Sequence, residues 1–308
     1  MSKTIVFFGS GPVAAKSLVL LAKNFVIEAV VSKPRAPHHK GDVPVLRVAE
    51  ALGLPVKTAT DKQSLDALFT QKPFKSELAV LVDFGIIVSQ EVIDYFPLGI
   101  VNSHFSLLPE WRGADPITFS ILSGQQRTGV SLMLLSAGMD EGSLLAQTPC
   151  AIDNAMTTPE LTDELIELSD QTLQTILPLW AEGKVQAAPQ SEVTLAPSVI
   201  PTYSRKLTKE DGIIDWNKDA ATLEREIRAF AEWPKSHATF GSLAVIITKA
   251  HVLETTGQTP GTTTIENKLP VVFCGTNALA IDRIKPAGKQ EMTGESFLAG
   301  YKQLFLTR

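Results

Sequence analysis

The sequence predicts an α/β chain in which a mostly parallel sheet, covered by helices on both faces, is followed by a smaller β-rich domain. Three observations carry this reading. The first 31 residues read strand, Gly-rich turn, helix, strand. Apolar strands then alternate with amphipathic helices as far as about residue 183. Beyond residue 204, short β runs follow one another with Gly turns between them. At 308 residues the chain is about twice the length of a typical domain, enough for two cores.

The elements follow in order. Residues 4–8 form a first strand, Gly9-Ser10-Gly11-Pro12 a turn, 13–23 a helix and 26–31 a second strand, which together make a βαβ unit. Helices over 45–52 and 62–70, a short strand around Val56 and apolar strands over 78–82, 99–103 and 129–135 extend the pattern. Thr158 as cap and Pro159 at the first helical position start a long helix, whose apolar stripe includes Leu161, Leu165, Leu168, Leu173, Ile176 and Leu177, and Gly183 ends it. Pro189, Pro197 and Pro201 among Ser, Thr and Ala mark an extended linker. The expected domains are therefore 1–186 and 205–308, joined by 187–204. The second begins with a helix over 220–230. Strands over 237–240, 243–247, 261–266, 270–274 and 278–284 then suggest a small barrel or sandwich.

Composition narrows the function. No apolar run reaches the roughly 18 residues of a membrane span. The start, Met1-Ser2-Lys3-Thr4 into Ile5-Val6-Phe7-Phe8, is too short for a signal-peptide core, so a cytoplasmic protein without membrane partners is expected. Cys150 and Cys274 fall in different domains without ligand-spaced neighbours, so neither a disulfide nor a metal site is expected. The net charge of −5 disfavours a generic nucleic-acid binder. It is uneven, however. Residues 1–204 hold 14 Lys+Arg against 21 Asp+Glu, and residues 205–308 hold 14 against 12. A basic patch is better accommodated in the second part.

The turn Gly9-x-Gly11-x-x-Ala14 partly matches a dinucleotide fingerprint, but the second strand ends Val30-Val31-Ser32-Lys33, without the acidic residue that would hold a ribose. Glu28 lies inside that strand, and a tight turn lining another cleft is the better reading. The densest chemical signal is Asn102-Ser103-His104-Phe105-Ser106-Leu107-Leu108-Pro109, with Trp111-Arg112-Gly113 after it and Asp140-x-Gly142 downstream. Positions two apart in a strand share a face, so Asn102 and His104 present an amide and an imidazole together. An approaching Asp140 completes a set suited to acyl or formyl transfer, with donors for an oxyanion and a base for an attacking amine. Each residue alone also has a structural reading: a hydrogen-bonded histidine, a turn amide, a loop aspartate that caps its own backbone.

These residues resemble the hallmark of the formyltetrahydrofolate-utilising transferases, Asn-x-His followed by Ser-Leu-Leu-Pro and Arg-Gly, then Asp-x-Gly. The resemblance implies a Rossmann-like catalytic domain with 10-formyltetrahydrofolate as co-substrate and no metal in the chemistry. It also implies that Asn102 and His104 contact the formyl oxygen while Asp140 assists proton transfer and holds His104. Phe84, Gly85, Ile86, Ser106, Leu107, Leu108, Pro109, Gly138 and Gly142 are the implied folate-binding positions.

Downstream, Ile214-Asp215-Trp216, Leu223-Glu224-Arg225-x-Ile227-Arg228-Ala229-Phe230-x-x-Trp233-Pro234 and Pro286-Ala287-Gly288-Lys289 resemble the OB-like C-terminal domain of those members that act on methionyl-tRNA. Initiator methionyl-tRNA is thus the implied acceptor and formylmethionyl-tRNA, for translation initiation, the product. Lys33, Arg35, Lys40, Lys206, Lys209 and Lys289 are the candidate tRNA contacts, and a monomer is expected. Trp216, Phe230 and Trp233 are expected to be buried core or interface aromatics. Two departures stand out. Residues 33–43 are shorter than the Gly- and Lys-rich loop of bacterial relatives, and Asp83 stands where relatives carry a small or apolar residue, which alters the expected folate contacts.

Overall fold

The structure, a computed structural model, describes residues 4–35, 43–255 and 257–305. The chain runs β1 (Thr4–Phe8), α1 (Pro12–Asn24), β2 (Val26–Ser32), α2 (Pro44–Ala51), β3 (Val56–Thr58), α3 (Lys62–Phe69), β4 (Ala79–Leu81) and α4 (Gln90–Asp94). It continues with β5 (Ile100–His104), β6 (Arg112–Gly113), α5 (Pro116–Leu122), β7 (Arg127–Leu134), β8 (Leu144–Ala151), α6 (Thr158–Ala181), α7 (Gln190–Val193) and β9 (Tyr203–Ser204). The remainder is α8 (Ala220–Ala229), β10 (Ser236–Phe240), β11 (Leu243–Leu253), β12 (Thr263–Glu266), β13 (Leu269–Phe273), β14 (Ala278–Pro286), β15 (Met292–Thr293) and α9 (Gly294–Tyr301). Two compact units result, one of residues 1–116, 127–151 and 162–204, the other of 117–126, 152–161 and 205–308.

In the first unit the strand order is β3-β2-β1-β4-β5-β7-β8. The pairs from β3 to β5 are parallel, and β7 and β8 are antiparallel additions. Strands buried on both faces need near-continuous apolar sequence, which β1 and β4 have. Phe8, Phe69, Phe84 and Phe96 form a buried cluster in which Phe8 and Phe84 meet edge to face at 5.3 Å. Each such ring adds about 1.5–3 kcal/mol by leaving water. Helix α3 starts at a capping box: the Asp61 carboxylate accepts from the Ser64 N–H at 2.8 Å, and the Ser64 hydroxyl accepts from the Asp61 N–H at 3.1 Å. Glu28 has a structural task inside β2, accepting from the backbone N–H groups of Lys75 and Ser76, both at 2.8 Å. Burial pushes its carboxyl up, but hydrogen bonds from Ser76 and Lys75 outweigh that and hold it below the usual range.

Residues 187–204, read from sequence as an extended linker, belong to the first unit. Ala188 and Leu144 exchange both backbone hydrogen bonds, at 2.8 and 3.0 Å, and β9 pairs in parallel with β6. Thr202 adds backbone bonds to Pro109 and Arg112, at 3.1 and 2.9 Å, so the segment is tied to the first unit at both ends. The helix expected to be capped by Thr158 is capped one residue earlier, where the Thr157 N–H and hydroxyl both donate to Glu160, at 2.8 and 2.7 Å.

The second unit carries an antiparallel sheet in the order β10-β11-β14-β13-β12, with β15 added beside β14. Its core gathers Ile247, Leu279, Ile281, Phe240, Phe297 and Phe305 under α8 and α9. Phe230 is buried and Trp216 packs against this core, whereas Trp233 is 55% exposed, contrary to the burial expected of it.

Candidate active site

Strand β5 lies between β4 and β7, and all five of its residues are buried. Its alternation sends Asn102 and His104 to one face at the carboxyl edge of the sheet, the edge where open α/β sheets place ligands. Asp140 reaches them from the loop between β7 and β8. Asn102 Nδ2 stands 3.4 Å from Asp140 Oδ1, and His104 Nδ1 stands 3.8 Å from Asp140 Oδ2. The Gly113 N–H donates to Oδ2 at 2.7 Å, so the carboxylate is anchored on one side and open to the pair on the other.

His104 Nε2 lies 3.0 Å from the Trp111 carbonyl oxygen. A carbonyl only accepts, so Nε2 carries a proton and donates it. The nitrogen facing Asp140 is therefore Nδ1. Trp111 (φ 53°) and Asp140 (φ 51°) are left-handed at the site, as are Asp83 (φ 45°) and Asp115 (φ 56°) elsewhere in the first unit. Non-glycine residues hold such conformations only where their surroundings fix them, and functional sites are where they concentrate.

The implied folate positions fall into two kinds. Phe84 belongs to the aromatic cluster, with Ile86 packed against it. Ser106, Leu107 and Leu108 are fully buried, and the Ser106 hydroxyl donates to the Glu110 carbonyl. These buried side chains are committed to packing, which leaves their backbone as the part able to meet a ligand. Ser131 sets that backbone: its Oγ accepts from the Leu108 N–H at 2.9 Å and donates to the Ser106 carbonyl at 2.6 Å. The Leu108-Pro109 bond is cis. Gly85 is left-handed (φ 67°), and Gly142 makes a close backbone approach, since a Cβ there would meet the Leu134 carbonyl oxygen at 1.7 Å; a Cβ at Gly138 would meet only the Glu141 side chain.

Of the candidate tRNA contacts, Lys33 is half-buried just after β2, and Arg35 is exposed near it in sequence. Lys40 lies outside the described residues. Lys206, Lys209 and Lys289 are exposed on the second unit. Among the described residues no three His, Cys, Asp or Glu side chains group as a metal site, and no helix is long and apolar enough to cross a membrane.

Asp83 sits beside the Gly-rich turn, its carboxylate oxygen 1.8 Å from where a Cβ of Gly11 would stand, so a larger residue there would have to displace the Asp83 side chain. The protein packed round that carboxylate desolvates it, and with the Asp115 charge this raises it to about 6 against the opposing pull of Lys33. The folded state thus keeps a proton that the unfolded chain releases near pH 4, and stability falls as pH rises from about 4 to 6. Asp83→Asn, tolerated in left-handed backbone, is expected to raise the melting temperature above pH 6 and to leave it unchanged below pH 4. Thermal unfolding across that range checks it; equal melting temperatures for the two proteins at pH 7.5 would refute it.

Gln190 and Arg112 are site neighbours to which the sequence assigns no role. Both are buried, and their side chains meet at 2.8 Å. Arg112 belongs to the Trp-Arg-Gly motif, whereas Gln190 falls in the expected linker.

An open α/β sheet with an amide, an imidazole and a carboxylate gathered at its carboxyl edge is an arrangement suited to group transfer of the acyl type. Likeness to known proteins specifies the group. The formyl transferase family model matches residues 3–177, and the model of the formyl transferase C-terminal domain matches residues 206–302. The chain belongs to the formyl transferase family.

Among solved structures it is similar to HypX from Aquifex aeolicus, at 14% identity and a TM-score of 0.64, over 100% of this chain and 49% of that one. It thus spans about half the length of HypX. It is also similar to the N-formyltransferase from Helicobacter canadensis in complex with folinic acid and dTDP-3-aminofucose, at 17% identity and a TM-score of 0.66, over 91% of this chain and 99% of that one. Glycinamide ribonucleotide transformylase 1 from Symbiobacterium toebii matches at 19% identity and a TM-score of 0.52, over 61% of this chain and 94% of that one. At these identities the likeness is one of fold.

Proposed function

We propose that this chain transfers the formyl group of 10-formyltetrahydrofolate to the α-amino group of initiator methionyl-tRNA. The observation that carries the chemistry is the approach of Asn102 and His104 to one carboxylate, Asp140, at 3.4 and 3.8 Å. The amine nitrogen attacks the formyl carbon, and the carbonyl oxygen becomes an oxyanion. Asn102 Nδ2 and the protonated His104 donate to it, inside a site where such dipoles count for more than in water. Asp140 takes the proton that the amine sheds, directly or through one water, and returns it to N10 as the carbon–N10 bond breaks. Formylated amine and tetrahydrofolate leave, and no net proton is consumed. The folate pocket in this reading is the backbone around Phe84, Gly85, Ile86, Ser106, Leu107, Leu108 and Pro109, together with Gly138 and Gly142. Support for a folate donor comes from the family and from the folinic acid bound by the Helicobacter enzyme.

Support for the acceptor comes from the second unit. Its sequence signature around Trp216, Arg228, Trp233 and Lys289 resembles members that act on methionyl-tRNA, and Lys206, Lys209 and Lys289 are exposed to meet phosphates. Lys33, Arg35 and Lys40 would serve the acceptor end. The second reading is an amino-sugar nucleotide acceptor, favoured by the short 33–43 segment and by the dTDP-sugar bound by the Helicobacter enzyme.

A direct competition between methionyl-tRNA and an amino-sugar nucleotide, with 10-formyltetrahydrofolate as donor, separates them. Formyl is expected on the tRNA. Neutralising Lys206, Lys209 and Lys289 together is expected to raise the KM for tRNA and to flatten its salt dependence by about one unit of slope for each lysine–phosphate pair removed. Faster formylation of the sugar, with the salt slope unchanged, would replace this reading by the second.

A further inference from the structure

We infer that Gln190, from the segment that follows the long helix α6, is a positioning residue that sets the Asp140 carboxylate for proton transfer, with Arg112 as its lock. The inference rests on the role proposed for Asp140. Gln190 is 5% exposed and uses both ends of its amide. Its Nε2 donates to the Asp140 carbonyl at 2.7 Å and to the Gly142 carbonyl at 3.0 Å, while its Oε1 accepts from Arg112 Nη2 at 2.8 Å. The acceptor end thus faces a guanidinium, and the amide cannot flip without setting an oxygen against two carbonyl oxygens and an NH2 against a cation.

What the amide holds is the backbone that aims the carboxylate. Asp140 is left-handed at φ 51°, a conformation that a residue with a Cβ keeps only where its surroundings hold it. Three fixings meet there: Gly113 N–H on the carboxylate, and Gln190 on the carbonyls of residues 140 and 142. Arg112 precedes Gly113 in β6 and donates its other Nη to Glu141 at 3.2 Å, which ties both sides of the loop to one side chain. Loss of the amide donors frees Asp140 to turn away from Asn102 and His104. The β7–β8 ladder itself pairs without Gln190.

The test compares Gln190→Met, Gln190→Glu, Asp140→Asn and the double variant Asp140→Asn/Gln190→Met, with kcat, both KM values and the pH dependence of kcat measured for each. Gln190→Met is expected to lower kcat about 10- to 100-fold, the scale set by a misplacement of about 1 Å, with the donor KM within about twofold of wild type and the acid limb of kcat displaced. Gln190→Glu keeps the partner of Arg112 but turns acceptors toward two carbonyls, and is expected to fall as far. In the Asp140→Asn background the residual rate should change less than about twofold on adding Gln190→Met, since there is no carboxylate left to aim. A Gln190→Met enzyme within twofold of wild-type kcat overturns the inference alone, as does an equal proportional loss in both backgrounds. Full activity of Asp140→Asn overturns the role of Asp140 and the inference with it.

Discussion

Replacing His104 by alanine is expected to lower turnover by about a hundredfold or more while donor affinity stays within about twofold, the size seen when one oxyanion donor is removed. The geometry explains the split. His104 is anchored by its Nε2–H on the Trp111 carbonyl, and Nδ1 faces Asp140, where the proposed mechanism places the formyl oxygen. Its stabilisation therefore grows as charge develops on the formyl oxygen and contributes little to the bound ground state. Asn102→Ala, which removes the neighbouring donor, should lose a comparable factor. Single-turnover formyl transfer and equilibrium binding of the donor, measured on the same preparation, separate chemistry from affinity. Wild-type turnover in either variant removes the proposed site.

Gly142→Ala is expected to be the most damaging of the small substitutions. A methyl at that position would lie 1.7 Å from the Leu134 carbonyl oxygen, a backbone atom that no rotamer can move aside. The base of the β7–β8 connection, closed by the Leu134 N–H on the Ser143 carbonyl at 2.9 Å, must open to admit it. Overpacking of this kind costs on the order of 3 kcal/mol. The displaced loop carries Asp140, so turnover should collapse with stability. Chemical denaturation and turnover of the purified variant give both numbers; a variant as stable as wild type would show that the loop accommodates the methyl elsewhere.

Much of the first unit is legible in the sequence because its signals are local. Continuous apolar runs mark β1, β2 and β4, and Asn102 and His104 reveal their common face through strand alternation alone. What stays hidden needs tertiary context. Strand β8 contains Pro149, which argues against a strand in a lone sequence, yet β8 is the sheet edge, where a missing N–H is harmless. The short helix α9 is absent from the sequence reading although its cap, Thr293 accepting from the Ser296 N–H at 3.2 Å, is an ordinary start signal. Leu107 and Leu108, read as pocket residues through the motif they share with relatives, have side chains that belong to the core. Gln190 is invisible in the sequence because nothing in Pro189-Gln190-Ser191 shows which loop its amide will meet.

The anchoring of residues 187–204 has a consequence for the order in which the enzyme comes into being. Thr202 bonds Pro109, Trp111 and Arg112, β9 pairs with β6, and Gln190 holds the loop of Asp140, so the last stretch of the first unit to be synthesised touches both loops that frame the site. A chain emerging from the ribosome can lay down β1 to β8 and still lack the contacts that aim Asp140. The contacts around Asp140 are complete only when residue 204 has cleared the exit tunnel, by which time the second unit is already being made.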